Sequence, residues 1–115
     1  MNTIKHILLL IDDNGKIVLK KDDNIWRIPD FEVSLKESSH HAIIRYISSE
    51  FNSRVKDIVK LEHKFEDNIM YSLFLVKTDN VENSSSVRKF DPEFVNLDNV
   101  CENTKWALDV MKNKK

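Results

Sequence analysis

Residues 26–52 constrain the fold most, because they contain the end of a strand pattern at Pro29 and, further along, a helix pattern. The segment 25–28 alternates like a short strand, and Pro29 ends it, since proline lacks a backbone donor and restricts the residue before it. From about residue 38 to Phe51, side chains suited to one helix face recur at three- and four-residue spacing. The residues on this face are Ala42, Ile43, Tyr46, Ile47, Glu50 and Phe51. The sequence therefore predicts a helix that packs on a sheet.

Further strand patterns lie on both sides of this helix. They cover residues 4–11, 16–21, 55–65 and 69–77. The first two are separated by Asp12-Asp13-Asn14-Gly15, and Asn-Gly is typical of a type I′ hairpin turn. The third alternates like a half-buried strand, and Asp67-Asn68 turns it into the fourth, a nearly continuous apolar run suited to a central strand.

The remaining segments complete the order of elements. Residues 78–89 are polar and predict a long mobile loop, and residues 94–97 predict a short strand. Ser34 or Ser38 is expected to cap the first helix, and Thr104 a last helix that runs to about Lys112. Strands, one helix, more strands and a terminal helix indicate an α+β protein, with one domain over residues 1–115.

Composition limits the class of protein. A chain of 115 residues with 41% apolar residues forms one small globular domain. The net charge of −1 argues against binding to extended nucleic acid. The single cysteine, Cys101, excludes an intrachain disulfide, so a reducing cytoplasm is expected. The N-terminal apolar run, residues 7–11, is too short for a membrane span, and no signal-peptide pattern precedes it.

Five residues between positions 31 and 52 have a recognisable spacing. Phe31 is followed after five residues by Glu37, and Arg45, Glu50 and Asn52 come next. This spacing resembles the Nudix box of MutT-like hydrolases, in which Gly, five residues, Glu, seven residues and Arg-Glu-apolar-x-Glu-Glu-x-Gly follow one another. Residues 94–98 also resemble a late aromatic-x-x-Leu-Asp segment of that family.

The resemblance implies a fold and an activity. The fold is a Nudix-like α/β/α sandwich, a mixed sheet with the box helix after the third strand and a C-terminal helix. The activity is pyrophosphohydrolysis of nucleoside diphosphates linked to another group, with Mg²⁺ or Mn²⁺ as the cofactor. Dimers are common in the family, so a homodimer is an open expectation for this chain.

The box departs from the family pattern where the metal would bind. Family carboxylates spaced i, i+3 and i+4 hold the cations, and Tyr46, Ser49 and Glu50 stand at those positions here. A phenol with an ordinary pKa of ~10 and a neutral hydroxyl are poor Mg²⁺ ligands. Glu50 remains as a candidate catalytic residue and metal ligand, or as an ion-pair partner of Arg54. We therefore expect metal binding to be weak or absent.

Other box residues have implied structural and binding roles. By resemblance, Glu37 and Arg45 form an ion pair that braces the segment, while Arg27, Asp30 and Tyr46 are candidate ligand-binding residues. Further candidates lie outside the box. Lys20 and Lys21 either meet phosphates or are solvated. The candidate substitute metal ligands are Asp30, Glu32, Glu82 and Glu93. His40 and His41 are expected on the surface, and His6 and His63 are expected to be half-buried with partners.

Three functions stay open from the sequence. The first is a weak or inactive hydrolase that binds a nucleotide or another phosphorylated small molecule. The second is an active diphosphate hydrolase that uses Glu50 with substitute carboxylates. The third is a protein-interaction scaffold without a ligand.

Overall fold

The computed structural model of the chain describes residues 3–22, 25–33, 36–91 and 102–113. Within those ranges the chain forms seven strands and two helices. These are β1 (Thr3–Ile11), β2 (Ile17–Asp22), β3 (Ile25–Arg27), β4 (Asp30–Val33), α1 (Ser39–Phe51), β5 (Val55–Glu66), β6 (Ile69–Thr78), β7 (Val87–Phe90) and α2 (Glu102–Asn113). Neither helix is long and apolar enough to cross a membrane.

The strands form one mixed sheet. Its main order is β3-β2-β1-β6-β5, while β4 pairs with β1 and β7 with β2. The central pair, β1 and β6, is parallel and runs in register from Thr3↔Ile69 to Ile11↔Lys77. The other pairs are antiparallel. The strands predicted at residues 4–11, 16–21, 25–28, 55–65 and 69–77 are confirmed as β1, β2, β3, β5 and β6. The sequence did not predict β4 and β7, and because of β4 the helix α1 follows the fourth strand and not the third.

A helix covers each face of the sheet. On β1, Leu8 and Leu10 belong to the core cluster that contains α1 residues, and Ile7 and Leu9 belong to the cluster that contains α2 residues. All four leucine and isoleucine side chains are fully buried. A strand buried on both faces needs a continuous apolar run, which explains the sequence of β1. The predicted α/β/α sandwich is therefore confirmed.

The two predicted turns differ in geometry. Gly15 has a positive φ of 76°, but Asn14 is outside that region, so the type I′ prediction is wrong. Asp12 Oδ1 accepts from the backbone N–H of Asn14 and of Lys16, each at 3.0 Å, and this carboxylate favours a longer loop closed by one left-handed glycine. The two consecutive positive φ values of a type I′ turn occur instead at Asp67 (51°) and Asn68 (64°).

The ends of α1 follow from two polar residues. Ser38 is the N-cap, because its Oγ accepts from the His41 N–H at 3.1 Å. Its rival Ser34 lies outside the described residues. Asn52 ends the helix with φ 49° and ψ 41°, in the left-handed region that Gly or Asn adopts with the least strain. Asn52 stands where the Nudix box has its last glycine, and the helix ends there in the same conformation that a glycine would favour.

Two predictions in the second half of the chain are wrong. Residues 78–89 are not one mobile loop, because β6 continues to Thr78, Val81 is buried and β7 begins at Val87. Both valines pack into the core cluster on the α1 side, so apolar anchors hold a segment that looks polar overall. Thr104 does not cap α2, which already includes Glu102; it is a buried residue of the first turns. The strand predicted at 94–97 lies outside the described residues.

Strand β5 lies at one end of the sheet's main order and is more exposed than predicted. Register shifts between Val55 and Asp57 and between Lys60 and Glu62 interrupt its alternation. None of its residues is fully buried, and Val59 and Phe65 are 43% and 54% exposed. His63, expected to be half-buried, is exposed.

Candidate functional site

A cleft of about 240 Å³ lies between the β2–β3 pair and α1. Its lining residues are Lys20, Lys21, Arg27, Ile28, Pro29, Asp30 and Tyr46. Lys20 and Arg27 are direct partners in the β2–β3 ladder, so their side chains leave the same face of the sheet. Three predicted ligand-binding residues, Arg27, Asp30 and Tyr46, are therefore brought together.

Two ion pairs compensate charge in this cleft. Lys20 Nζ lies 3.3 Å from Glu50 Oε1, and Arg27 Nη2 lies 2.8 Å from Asp30 Oδ2. The expected alternative partner of Glu50, Arg54, instead lies with its Nε 3.3 Å from Asp79 Oδ2. The Lys20–Glu50 pair joins β2 to α1, and each of the two cations has a carboxylate beside it.

An aromatic stack forms the cleft wall on the α1 side. Tyr46 stacks on Phe31 with ring centres 4.4 Å apart and planes 7° apart, and it meets Phe51 edge-on at 5.9 Å. Burial raises the pKa of the Tyr46 phenol strongly, and the nearby charges of Glu50 and Asp30 raise it further. The phenol therefore stays protonated at neutral pH and can donate a hydrogen bond.

Lys21 differs from its neighbour Lys20, although both belong to the segment that borders the cleft. Consecutive side chains of a strand point to opposite faces. The Lys21 ammonium accordingly lies 5.9 Å from the ring centre of Trp26, which packs against the α2-side cluster. Of the two lysines predicted to meet phosphates, only Lys20 directs its ammonium towards α1.

Glu37 and Arg45 form the ion pair that the Nudix resemblance implies. Arg45 Nη2 donates to Glu37 Oε1 at 3.0 Å, and Arg45 Nη1 contacts Glu37 Oε2. The contact joins the segment before α1 to the second turn of that helix. Arg45 is 60% exposed, so the pair fixes geometry more than it contributes stability.

The donor groups that the described residues bring to this site do not fit a divalent metal. Mg²⁺ requires several oxygen ligands at short distance, and no three His, Cys, Asp or Glu residues within the described ranges are placed to hold a metal ion. Glu50 is paired with Lys20 and Asp30 with Arg27. The other proposed substitutes, Glu32 and Glu82, are exposed, and Glu93 lies outside the described residues.

His6 lies beneath the aromatic wall, a position that the sequence did not reveal. It is 3% exposed, and its ring packs edge-on against Phe31 at 5.7 Å and tilted by 55° against Phe74 at 4.7 Å. Its Nε2 is hydrogen-bonded to Ser39 Oγ at 3.0 Å. Burial lowers the pKa of His6, and the charge of Lys60 lowers it further. His40 and His41 are exposed, as predicted.

Thr104 connects the cleft to the opposite face of the sheet. Its Oγ1 accepts a 2.8 Å hydrogen bond from the backbone N–H of Ile28, a cleft residue. The two positions are 76 residues apart, so no local sequence pattern reports this contact. The strand pairing of Lys20 with Arg27, by contrast, follows from the short connection between their strands.

Comparison with known proteins shows similarity in three-dimensional structure. No family model and no curated protein sequence matches this chain. Among solved structures, a MutT from work on Aliivibrio salmonicida and Vibrio cholerae superposes with a TM-score of 0.74 at 15% identity, covering 96% of this chain and 98% of that one. The MutT NUDIX hydrolase of Burkholderia pseudomallei gives 0.73 at 17% identity, covering 93% and 95%.

A third structure with this fold comes from a complex between two proteins. It contains the C-terminal domain of mouse MUTYH and human PCNA, and the match has a TM-score of 0.69 at 10% identity, covering 98% of this chain and 89% of that one. At such identities the likeness shows the fold alone, which is that of the Nudix hydrolases.

Proposed function

We propose that this protein is a Nudix-fold binding protein for a nucleotide or another phosphorylated small molecule, with little or no hydrolase activity. The observation that carries the proposal is the stack of Tyr46 on Phe31. In the alignment with the Nudix box, these two residues stand at the first metal-binding carboxylate and at the first glycine. An aromatic pair thus fills space where metal hydrolysis needs an anionic ligand and an open loop.

The cleft beside the stack has the groups that a phosphorylated ligand requires. Lys20 and Arg27 provide positive charge from adjacent strands, and the Tyr46 hydroxyl provides a neutral donor. Phosphate oxygens accept hydrogen bonds from such groups, and arginine suits them because of its planar array of donors. The volume of about 240 Å³ suits a phosphate-bearing portion of a ligand whose remainder extends into solvent.

Titration calorimetry tests this proposal directly. Mg²⁺ and Mn²⁺ are titrated first, and a panel of nucleoside mono-, di- and triphosphates follows with and without metal. We expect nucleotide binding and no metal binding to the free protein. Metal binding that disappears in Glu50→Gln would contradict the proposal and support an active hydrolase with substitute carboxylates.

Restoring the family ligands tests the alignment. The triple variant Phe31→Gly, Tyr46→Glu, Ser49→Glu removes the stack and rebuilds the i, i+3, i+4 carboxylates, so Mn²⁺ affinity should appear. The matched control carries Ser48→Glu in place of Ser49→Glu. This substitution adds the same charge, but two residues from Tyr46 and therefore pointing away from it. A folded triple variant with no more Mn²⁺ affinity than its control would show that the box alignment is wrong.

An interaction scaffold is the second candidate function, and the exposed side chains of β5 favour it. Val59 and Phe65 are apolar and exposed on a long strand at the end of the sheet's main order. The fold also occurs in the complex of the MUTYH domain with PCNA. Sedimentation at increasing concentration tests self-association, and a homodimer with no response to any nucleotide would favour this function.

A further inference from the structure

We propose that the Lys20 ammonium takes the place of a divalent cation in the cleft, so that a pyrophosphate group binds without metal. The inference rests on the proposed function and names the chemical class of its ligand. It begins from a disagreement between fold and residues. The fold is shared with MutT hydrolases and the resemblance to the Nudix box implies a divalent cation, yet no described group of residues fits one.

Lys20 has the position that this role requires. Its Nζ lies 3.3 Å from Glu50 Oε1, and Glu50 is the carboxylate that remains from the family's metal-binding set. A divalent cation there would bridge Glu50 and a phosphate oxygen. An ammonium can form the same bridge, because it has three N–H donors and Glu50 takes one of them. The positive charge beside Glu50 therefore belongs to a side chain of the protein and not to a bound metal ion.

The surroundings keep Lys20 in place. Its ammonium lies 6.0 Å from the ring centre of Phe51, which is buried in the α1-side core. The side chain is 32% exposed, so its charge is accessible to a ligand but not freely mobile in solvent. Because the Lys20–Glu50 pair is partly exposed, its main effect is to orient the lysine and not to stabilise the fold.

Arg27 extends the cationic surface by one strand. It is the ladder partner of Lys20, and its guanidinium is held by Asp30 at 2.8 Å. Two cations on adjacent strands suit two linked phosphates better than one, because each phosphate can then face its own cation. Glu50 and Asp30 reduce the net charge of the cleft, so the ligand must have enough negative charge to compete with them.

This arrangement gives two substitutions with opposite effects. Lys20→Met removes the bridging cation and keeps a similar side-chain length, so pyrophosphate affinity should fall roughly 10-fold or more. Glu50→Gln removes the competing negative charge but keeps an amide oxygen that can accept from the Lys20 ammonium, so affinity should stay equal or rise. A metal site predicts the reverse for Glu50, because loss of its carboxylate would abolish binding.

The experiment is calorimetric titration of the whole chain with inorganic pyrophosphate, first in EDTA and then in excess Mg²⁺. Wild type should bind in EDTA. Lys56→Met is the matched control, since it removes an ion-paired lysine of β5 that does not line the cleft, and it should change affinity less than about 2-fold. Thermal melts of each variant exclude unfolding as the cause of lost binding.

The outcomes separate the two proposals. Binding that needs Mg²⁺ and disappears in Glu50→Gln overturns the role of Lys20. Binding of nucleotides that is unchanged by Lys20→Met also overturns it, while the proposed binding function stands. If wild type binds neither pyrophosphate nor any nucleotide, the proposed function fails and the role of Lys20 fails with it.

Discussion

Replacing Thr104 with valine should loosen the strand that lines the cleft. Thr104 is fully buried, and its Oγ1 accepts the 2.8 Å hydrogen bond from the Ile28 N–H. Valine has nearly the same shape but no acceptor. The Ile28 amide would then be buried without its partner, which costs about 1–3 kcal/mol of unfolding free energy. The lost hydrogen bond is the one through which α2 contacts Ile28, a residue that lines the cleft.

The expected change is measurable by calorimetry and by hydrogen exchange. A 115-residue chain has an unfolding entropy of about 0.24 kcal/mol/K, so the cost lowers Tm by roughly 4–12 °C. The Ile28 amide should also exchange faster than in wild type, because its protecting acceptor is gone. Thr104→Ser is the control, since it keeps the hydroxyl and removes one methyl group, at about 1 kcal/mol.

The two variants separate hydrogen bonding from packing. If the reasoning holds, both lower Tm, but only Thr104→Val accelerates exchange at Ile28 beyond the change expected from global stability. A Thr104→Val protein whose Tm lies within 2 °C of wild type and whose Ile28 amide exchanges as slowly would refute the proposed contribution of this bond.

Two further predictions concern a buried histidine and a helix end. Burial lowers the pKa of His6 in the folded state, so below the unfolded-state pKa of about 6.5 the unfolded chain binds one more proton, and the free energy of unfolding falls by up to about 1.4 kcal/mol per pH unit. Denaturant unfolding between pH 7.5 and 5.5 should therefore show a smaller loss of unfolding free energy in His6→Gln than in wild type. An equal dependence on pH in the two proteins would contradict this prediction. Asn52 has φ 49°, so Asn52→Ala should cost about 1 kcal/mol of unfolding free energy while Asn52→Gly costs none, and equal denaturation midpoints for the two variants would exclude strain at this position.

Local patterns predicted much of the fold because their physical causes are local. The apolar run of β1, the stripe of α1 and the short turn at Asp67-Asn68 each depend on neighbouring residues, and the structure contains all three. The polar segment after β6 misled the prediction because two valines, Val81 and Val87, anchor it in the core. Two apolar residues among many polar ones produce no periodic pattern.

The candidate site was predictable where a motif fixes spacing and unpredictable where distant residues meet. The Glu37–Arg45 pair is implied by the resemblance to the Nudix box, and Tyr46, a candidate ligand-binding residue, lines the cleft. One alternative for Glu50 was an ion pair with Arg54, four residues later in the chain, yet the structure places Lys20 beside it, 30 residues away. Sequence spacing describes neighbours on one helix but not the strand that packs against it.

The parallel pairing of β1 with β6 has a consequence for how the chain folds. The first described strand pairs with one that begins at residue 69, so the centre of the sheet cannot form until a long segment has closed. The β5–β6 hairpin has a short turn and can form early. During synthesis, β1 therefore emerges well before its parallel partner and can pair at first only with β2 and β4, so its other edge stays open to aggregation or to chaperone binding until β6 follows.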